Sequence, residues 1–158
     1  MDKDLSKNLD FFREKNDLDE VIKILLNKKK DNPKNLDLIF QLAGAYRSLG
    51  NFDAALLNYD EILSYDETYT AAYRMIGTII NHKKNGKYLE KIEKIKEKNN
   101  LSLDKKIDLY FSLGKAYEDL GEKEKSAHHY IFANKAKKEI TKYNFKIHKE
   151  HFEQIYEI

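Results

Sequence analysis

Apolar residues recur along the chain at three- and four-residue steps. One series is Leu38, Leu42, Ala45 and Leu49, and a second series follows with Ala55, Tyr59, Ile62 and Leu63. This spacing is typical of one buried face of an amphipathic helix. The 158 residues contain one proline and six glycines, too few for the many turns of an all-β chain. The pattern therefore predicts an all-α fold in which short helices alternate with short connections.

A stretch of nine residues is repeated. Leu42–Gly50 recurs 71 residues later as Leu113–Gly121, with leucine, alanine, tyrosine, leucine and glycine at matching places. A tyrosine stands nine residues beyond each terminal glycine, at Tyr59 and Tyr130. Between the copies, Gly77 lies 34 residues after Ala43 and 37 before Gly114. The period is therefore about 34 residues, with about three residues added in one unit.

This pattern resembles the tetratricopeptide repeat, a helix–turn–helix unit of 34 residues. The resemblance implies a right-handed α-solenoid over residues 1–140, with units at about 2–35, 36–69, 70–106 and 107–140. The first unit lacks the consensus glycines, and the third has an enlarged turn at Asn81–Lys87. Apolar residues at roughly four-residue steps predict an amphipathic C-terminal helix over 141–158, which would cap the exposed end of the array.

Four glycines fall at consensus places. Gly77 and Gly114 lie inside helical patterns, where glycine costs about 1 kcal/mol relative to alanine. We expect both to allow a close approach of the paired helix that leaves no room for a Cβ. Gly50 and Gly121 lie where the first helix of a unit stops, and each is predicted to adopt the left-handed conformation of a helix C-cap.

The sequence contains no recognisable catalytic chemistry. There is no cysteine, the glycines do not form a phosphate-binding motif, and no nucleophile–base set can be assembled. His128 and His129 are adjacent and point about 100° apart on a helix. His148 and His151, near Glu153, are one turn apart but lack a metalloprotease signature, so we expect helix surface there. The chain is predicted to be neither an enzyme nor a cofactor-binding protein.

Charge is distributed unevenly, although the net charge is only +2. Residues 36–70 hold one basic and six acidic residues, a net of −5, whereas residues 82–106 hold nine lysines and four acids, a net of +5. This asymmetry favours solubility or, as the alternative, an electrostatically steered contact between copies or with a charged partner. Nucleic-acid binding is not expected, because few aromatic residues accompany the lysines.

The beginning of the chain is charged and no apolar run approaches the ~18 residues of a membrane span, so we expect no membrane association and a cytoplasmic location. The resemblance implies that the first helix of each unit lines a concave groove that binds a protein or peptide segment. All three arginines of the chain fall on this predicted face, whose members are Ser6, Asp10, Arg13, Phe40, Gly44, Arg47, Ser48, Ala71, Arg74, Thr78, Asn81, His82, Phe111, Lys115, Glu118 and Asp119. Gly44 stands where chaperone-binding arrays carry an asparagine, so that specificity is not predicted.

A second resemblance covers about 45 residues. Leu113–Gly121, Ala133–Lys135, Tyr143 and His151–Glu153 look like the last repeat and linker helix of bacterial repeat-containing sulfotransferases. That family's sulfonate-donor loop is not found in this sequence. The sequence thus supports a non-catalytic protein-interaction module. The alternative is the recognition domain of a sulfotransferase, and self-association of the chain is a third hypothesis.

Overall fold

The computed structural model describes residues 3–98 and 100–141, and these residues form helices and no strand. The predicted C-terminal helix, with Tyr143, His148 and His151–Glu153, lies outside the described residues. Within them, no helix is long and apolar enough to cross a lipid bilayer. The helices are α1 (Lys3–Glu14), α2 (Leu18–Asp31), α3 (Leu36–Ser48), α4 (Phe52–Tyr65), α5 (Thr70–Gly77), α6 (Lys87–Lys96), α7 (Leu103–Leu120) and α8 (Lys123–Thr141).

Short polar side chains set several helix starts. Asp17 accepts a hydrogen bond from the backbone N–H of Glu20, and Asn51 accepts one from Ala54. Asn35 accepts two, from Asp37 and Leu38, and Ser102 accepts one from Lys105. Each bond satisfies a backbone donor that the first helical turn leaves free. These caps divide a nearly proline-free sequence into short helices.

The turns between α1 and α2, α3 and α4, and α7 and α8 have the same geometry. Each places one residue in the left-handed region: Asn16 (φ 55°), Gly50 (φ 81°) and Gly121 (φ 80°). In each, the next residue donates its N–H to the carbonyl five residues back, as Asn51 does to Tyr46 at 2.9 Å. This is the pattern of a Schellman C-cap. The predictions for Gly50 and Gly121 are confirmed, and in the first pair an asparagine takes the place of glycine.

The turn after α5 is longer. Helix α5 ends at Gly77 and α6 begins at Lys87, so nine residues, 78–86, connect them. The enlarged turn was predicted for Asn81–Lys87; it begins earlier, because α5 has only eight residues. As a result, α5 packs mainly against α7, while α6 packs against α7 and reaches α4 through Tyr88.

Each helix packs mainly against helices no more than two elements away in the chain. Polar contacts between helix pairs follow the same rule, since their partners are separated by 24 to 38 residues, roughly one repeat. A closed bundle would bring distant segments together, which the packing of these helices does not do. The prediction of an all-α solenoid is therefore confirmed.

The core consists of two apolar clusters that share Tyr46. The smaller one joins α1, α2 and α3 around Leu9, Leu25 and Leu42. The larger one extends from α3 to α7 and contains three fully buried tyrosines, Tyr59, Tyr73 and Tyr88. These tyrosines stand at consensus places of the repeat pattern, so their burial links the sequence period to the packing.

Two expectations about packing were wrong. A Cβ built on Gly77 would meet its nearest neighbours at 3.7 and 3.8 Å, which is ordinary contact, so lack of space does not require a glycine there. Gly114 does fit the expectation, because a Cβ there would lie 2.7 Å from the ring of Tyr130. Leu49, predicted to lie on the apolar face of α3, is 47% exposed because the helix ends just before it.

Candidate protein-binding groove

One half of the predicted concave face forms an open groove between α1 and α3. Arg13, Phe40, Gly44, Arg47 and Ser48 line a common cavity of about 290 Å³. Phe40 also lines a second cavity of about 550 Å³, toward the start of α3. Nothing lies within 4 Å of a Cβ built on Gly44, so this position leaves the surface open. We call this region the α1–α3 groove.

Arginine and aromatic groups set the chemistry of the α1–α3 groove. Arg13 donates hydrogen bonds to Gln41 Oε1 at 3.0 Å and to Asp10 Oδ1 at 3.4 Å. Arg47 Nε is buried and has no hydrogen-bond partner among the described residues. Phe40 packs edge-on against Tyr59 and at a tilt against Tyr69, with ring centroids 5.7 and 5.5 Å apart, and this half-buried residue also lines the cavity.

Two tyrosines in contact with Phe40, the buried Tyr59 and the half-buried Tyr69, are held in their neutral form. Burial raises the pKa of Tyr59, although the nearby Arg47 guanidinium opposes that rise. Burial and the Asp37 carboxylate together raise the pKa of Tyr69 to about 12. The phenol groups are therefore uncharged at neutral pH, and the positive charge of the groove comes from Arg13 and Arg47.

The other half of the predicted face forms links between helices. Arg74 Nη1 lies 3.1 Å from Asp108 Oδ1, and its guanidinium lies 4.5 Å from the centre of the Phe111 ring. Lys115 pairs with Asp119 and lies 4.0 Å from Glu118. These side chains thus join α5 to α7, or one turn of α7 to the next. Asp108, which was missed in the predicted set, lies one helical turn before Phe111 on the same helix.

His82 was predicted to line the groove, and its side chain is instead 2% exposed. Its backbone N–H donates to Asp119 Oδ2 at 2.9 Å, and this bond holds the turn after α5 against α7. Neither ring nitrogen has a partner among the described residues. Burial is the main reason that the pKa of His82 is lowered. The Asp119 carboxylate raises this pKa and the Lys115 charge lowers it, and burial outweighs Asp119.

The remaining predicted residues make local contacts. Thr78 donates its hydroxyl hydrogen to the Met75 carbonyl at 2.6 Å, and Asn81 Oδ1 accepts from the Lys83 N–H at 3.0 Å. Both belong to the turn after α5 and contribute to its shape. Ala71 is half-buried on α5, whereas Ser6 and Asp10 lie on α1.

Several acidic residues of the stretch 36–70 form ion pairs with lysines of the same chain. Lys29 on α2 pairs with Glu61 on α4 at 2.5 Å, and Lys87 on α6 pairs with Asp60 at 3.0 Å. Lys98, just after α6, pairs with Glu67 at 2.5 Å. The acidic stretch of 36–70 therefore lies between basic neighbours on both sides, and part of its charge is balanced within the chain.

The period, the left-handed turns and the row of helices are those of stacked tetratricopeptide repeats, and a family comparison finds such repeats in two stretches of the chain. The tetratricopeptide repeat model matches residues 36–69 and 107–131, so the chain contains these repeats. The matches begin where the second and fourth predicted units begin.

Among solved structures, the chain is similar to MamA. A MamA RS-1 ArsTM double mutant is 19% identical over 98% of this chain and 92% of that one, with a TM-score of 0.63. A structure of MamA MSR-1 C2 is 18% identical over 81% and 72%, with a TM-score of 0.51. At these identities the likeness shows the fold alone. No curated protein matches, and no comparison supports the sulfotransferase resemblance.

Proposed function

We propose that this chain is a non-catalytic interaction module whose α1–α3 groove binds an extended segment of a partner protein. The single observation that carries the proposal is the arrangement of Arg13 and Arg47 around the same cavity as Phe40. Guanidinium groups bind carboxylates through two parallel hydrogen bonds, and a half-buried aromatic ring offers an apolar anchor. The fitting ligand carries a carboxylate within reach of an arginine and an apolar side chain against Phe40.

The proposal narrows the predicted site. Arg74 and Lys115 pair with the partly buried side chain of Asp108 and the buried side chain of Asp119, and His82 is itself buried, which leaves them little capacity for a ligand. Arg13 also pairs, with Asp10, but that contact is longer, at 3.4 Å, and both of its side chains are exposed. The four-unit division of residues 1–140 is kept as part of the proposal, with the groove formed by the first two units. Fold likeness to MamA supports a scaffold of this type, because repeat arrays of stacked hairpins present extended binding surfaces.

The test compares the double variant Arg13→Ala/Arg47→Ala with the control Lys135→Ala/Lys138→Ala, which removes two exposed charges from α8. Partners captured from native extract by the unaltered chain are identified, and their binding is measured by calorimetry. We expect the arginine variant to bind at least about tenfold more weakly, since hydrogen bonds to charged groups dominate such contacts. The control should bind normally, and both variants should keep the melting temperature of the unaltered chain within a few degrees. Equal affinities for the arginine variant and the unaltered chain would refute the groove as the binding site.

A further inference from the structure

A row of lysines follows one face of α6 and ends just beyond that helix. Helix α6 is the second helix of its pair, whereas α1 and α3, which line the α1–α3 groove, are first helices. Lys87, Lys91, Lys94 and Lys98 are spaced by four, three and four residues, which places them one above another along a helix. We call them the lysine stripe. None of them belongs to the face that the repeat pattern predicted to bind a ligand.

The two ends of the lysine stripe are paired and its middle is free. Lys87 Nζ lies 3.0 Å from Asp60 Oδ2, and Lys98 Nζ lies 2.5 Å from Glu67 Oε1. Lys91 and Lys94 make no ion pair or side-chain hydrogen bond with any residue that the structure describes. The paired ends fix α6 beside α4, so that the two unpaired ammonium groups are carried on a fixed helix.

The free lysines border a crevice between α4 and α6 with a volume of about 310 Å³. Leu63 and Ile95 form its apolar walls, and both are buried parts of the core. Glu67 is the one acidic residue on its rim, and the hydrogen bond and charge of Lys98 lower its pKa, with Lys94 adding to the effect. The carboxylate of Glu67 therefore stays ionised, and Lys91 and Lys94 give the rim an excess of positive charge.

We propose that this α4–α6 crevice is a second binding site, for an acidic protein segment that inserts an apolar side chain between Leu63 and Ile95. The flanking carboxylates of the segment lie against Lys91 and Lys94. Charge complementarity selects the acidic partner, and the size of the crevice lies at the lower end of the range for ligand sites. Single-stranded nucleic acid fits less well, because the one aromatic ring that lines the crevice, Tyr73, is fully buried and offers no face for base stacking.

The site is tested by fluorescence anisotropy with a labelled synthetic peptide in which one leucine stands between two pairs of glutamates. The variant is Lys91→Glu/Lys94→Glu, and the charge-matched control is Lys135→Glu/Lys138→Glu on α8. We expect the variant to bind the peptide at least about tenfold more weakly than the unaltered chain, with the control unchanged, because it replaces attraction by repulsion at both contacts. Binding should also vanish in about 1 M NaCl, where the Debye length is about 3 Å, and with glutamines in place of the glutamates.

Other outcomes overturn the proposal. Equal loss of binding in both variants would mean nonspecific attraction, and absence of binding to the unaltered chain at low salt would remove the site. Binding of labelled oligothymidylate or of vesicles containing anionic lipid, in preference to the peptide, would assign the lysine stripe to a different ligand class. A dimer detected by light scattering that dissociates in Lys91→Glu/Lys94→Glu would identify a second copy as the occupant. Because this peptide also has the chemistry proposed for a ligand of the α1–α3 groove, the comparison is repeated in the Arg13→Ala/Arg47→Ala background, where only the crevice is left to bind it. Loss of the remaining binding on adding Lys91→Glu/Lys94→Glu supports the crevice, and unchanged binding refutes it without bearing on the α1–α3 groove.

Discussion

Gly114 offers the most direct test of how the last helix pair is packed. Replacing it with alanine adds a Cβ that would lie 2.7 Å from two carbons of the Tyr130 ring and 2.9 Å from Tyr130 Cγ. Cγ is attached to the Cβ of Tyr130, so rotation of the ring about its own axis does not move it away. The conflict can be relieved only if α7 and α8 separate by several tenths of an ångström or the tyrosine adopts another rotamer.

Two opposing contributions set the magnitude. Overpacking a well-packed site costs about 1–3 kcal/mol. Alanine regains about 1 kcal/mol of helix propensity, because position 114 lies in the interior of α7. Because ring rotation does not relieve the contacts of 2.7–2.9 Å, the cost lies in the upper part of that range, about 2–3 kcal/mol, and we expect Gly114→Ala to lower the free energy of unfolding by a net of about 1–2 kcal/mol. For a chain of 158 residues this corresponds to a fall of roughly 2–8 °C in the melting temperature.

The assay is urea denaturation followed by far-UV circular dichroism, with Gly77→Ala as the matched control. At Gly77 the added Cβ makes only ordinary contacts at 3.7 and 3.8 Å, so the control should be neutral or slightly stabilising. Tyr130→Leu in the Gly114→Ala background should restore part of the lost stability, since it removes the ring that the new methyl group meets. Unchanged or raised stability in Gly114→Ala, or no coupling with position 130, would refute this account of the interface.

Three further predictions concern the turns and the links between helices. Asn16→Ala should lower the free energy of unfolding by about 1 kcal/mol and Asn16→Gly should not, because only the alanine is strained at φ 55°; equal denaturation midpoints for the two variants would contradict this. A double-mutant cycle over Arg74→Ala and Asp108→Ala should give a coupling of about 0.5–1 kcal/mol, as expected for a partly exposed pair, and a coupling of zero would mean that the contact is not stabilising. Burial lowers the pKa of His82 in the folded chain, while the unfolded chain protonates this histidine near pH 6.5, so the free energy of unfolding should fall as the pH drops below about 6.5. In urea titrations at several pH values, His82→Leu should make this pH dependence shallower. A pH dependence that the substitution leaves unchanged would assign it to other groups.

Sequence periodicity predicted the parts of the fold that repeat. Tyr59, Tyr73 and Tyr88 stand at three different consensus places of the repeat, and all three are fully buried, since burial of large aromatic side chains dominates such a core. The left-handed turns at Gly50 and Gly121 were predictable because glycine is the default residue there. Asn16 carries the same turn without the glycine, and its equivalence follows only from its place 34 residues before Gly50.

The difference between the two halves of the predicted concave face could not be predicted from the repeat period. Arg13, Arg47 and Arg74 occupy similar faces of their helices, yet Arg74 reaches Asp108 while Arg47 borders a cavity. Arg47 lies 34 residues after Arg13, whereas Arg74 lies only 27 after Arg47, about two helical turns earlier in its unit, and it meets Asp108 34 residues further along the chain. A period of about 34 residues fixes which face a residue occupies, whereas it does not fix which side chain of the next pair comes within reach.

The pairing of charged residues also could not be predicted from the sequence counts. The counts of −5 and +5 favoured solubility, with an electrostatically steered contact as the alternative, and the structure places Asp60 and Glu67 against Lys87 and Lys98 within the chain. An exposed pair of this kind contributes little to stability, about 0–1 kcal/mol. Its stronger effect is on register, because Lys87 joins the start of α6 to Asp60 on α4, while Lys98 and Glu67 join the segments that follow the two helices. Among the lysines of α6, Lys91 and Lys94 are the two left unpaired with any residue that the structure describes, because Lys87 pairs with Asp60 and Lys96 pairs with Glu93. The part of α6 available to a charged partner is therefore set by the pairs that the chain makes internally.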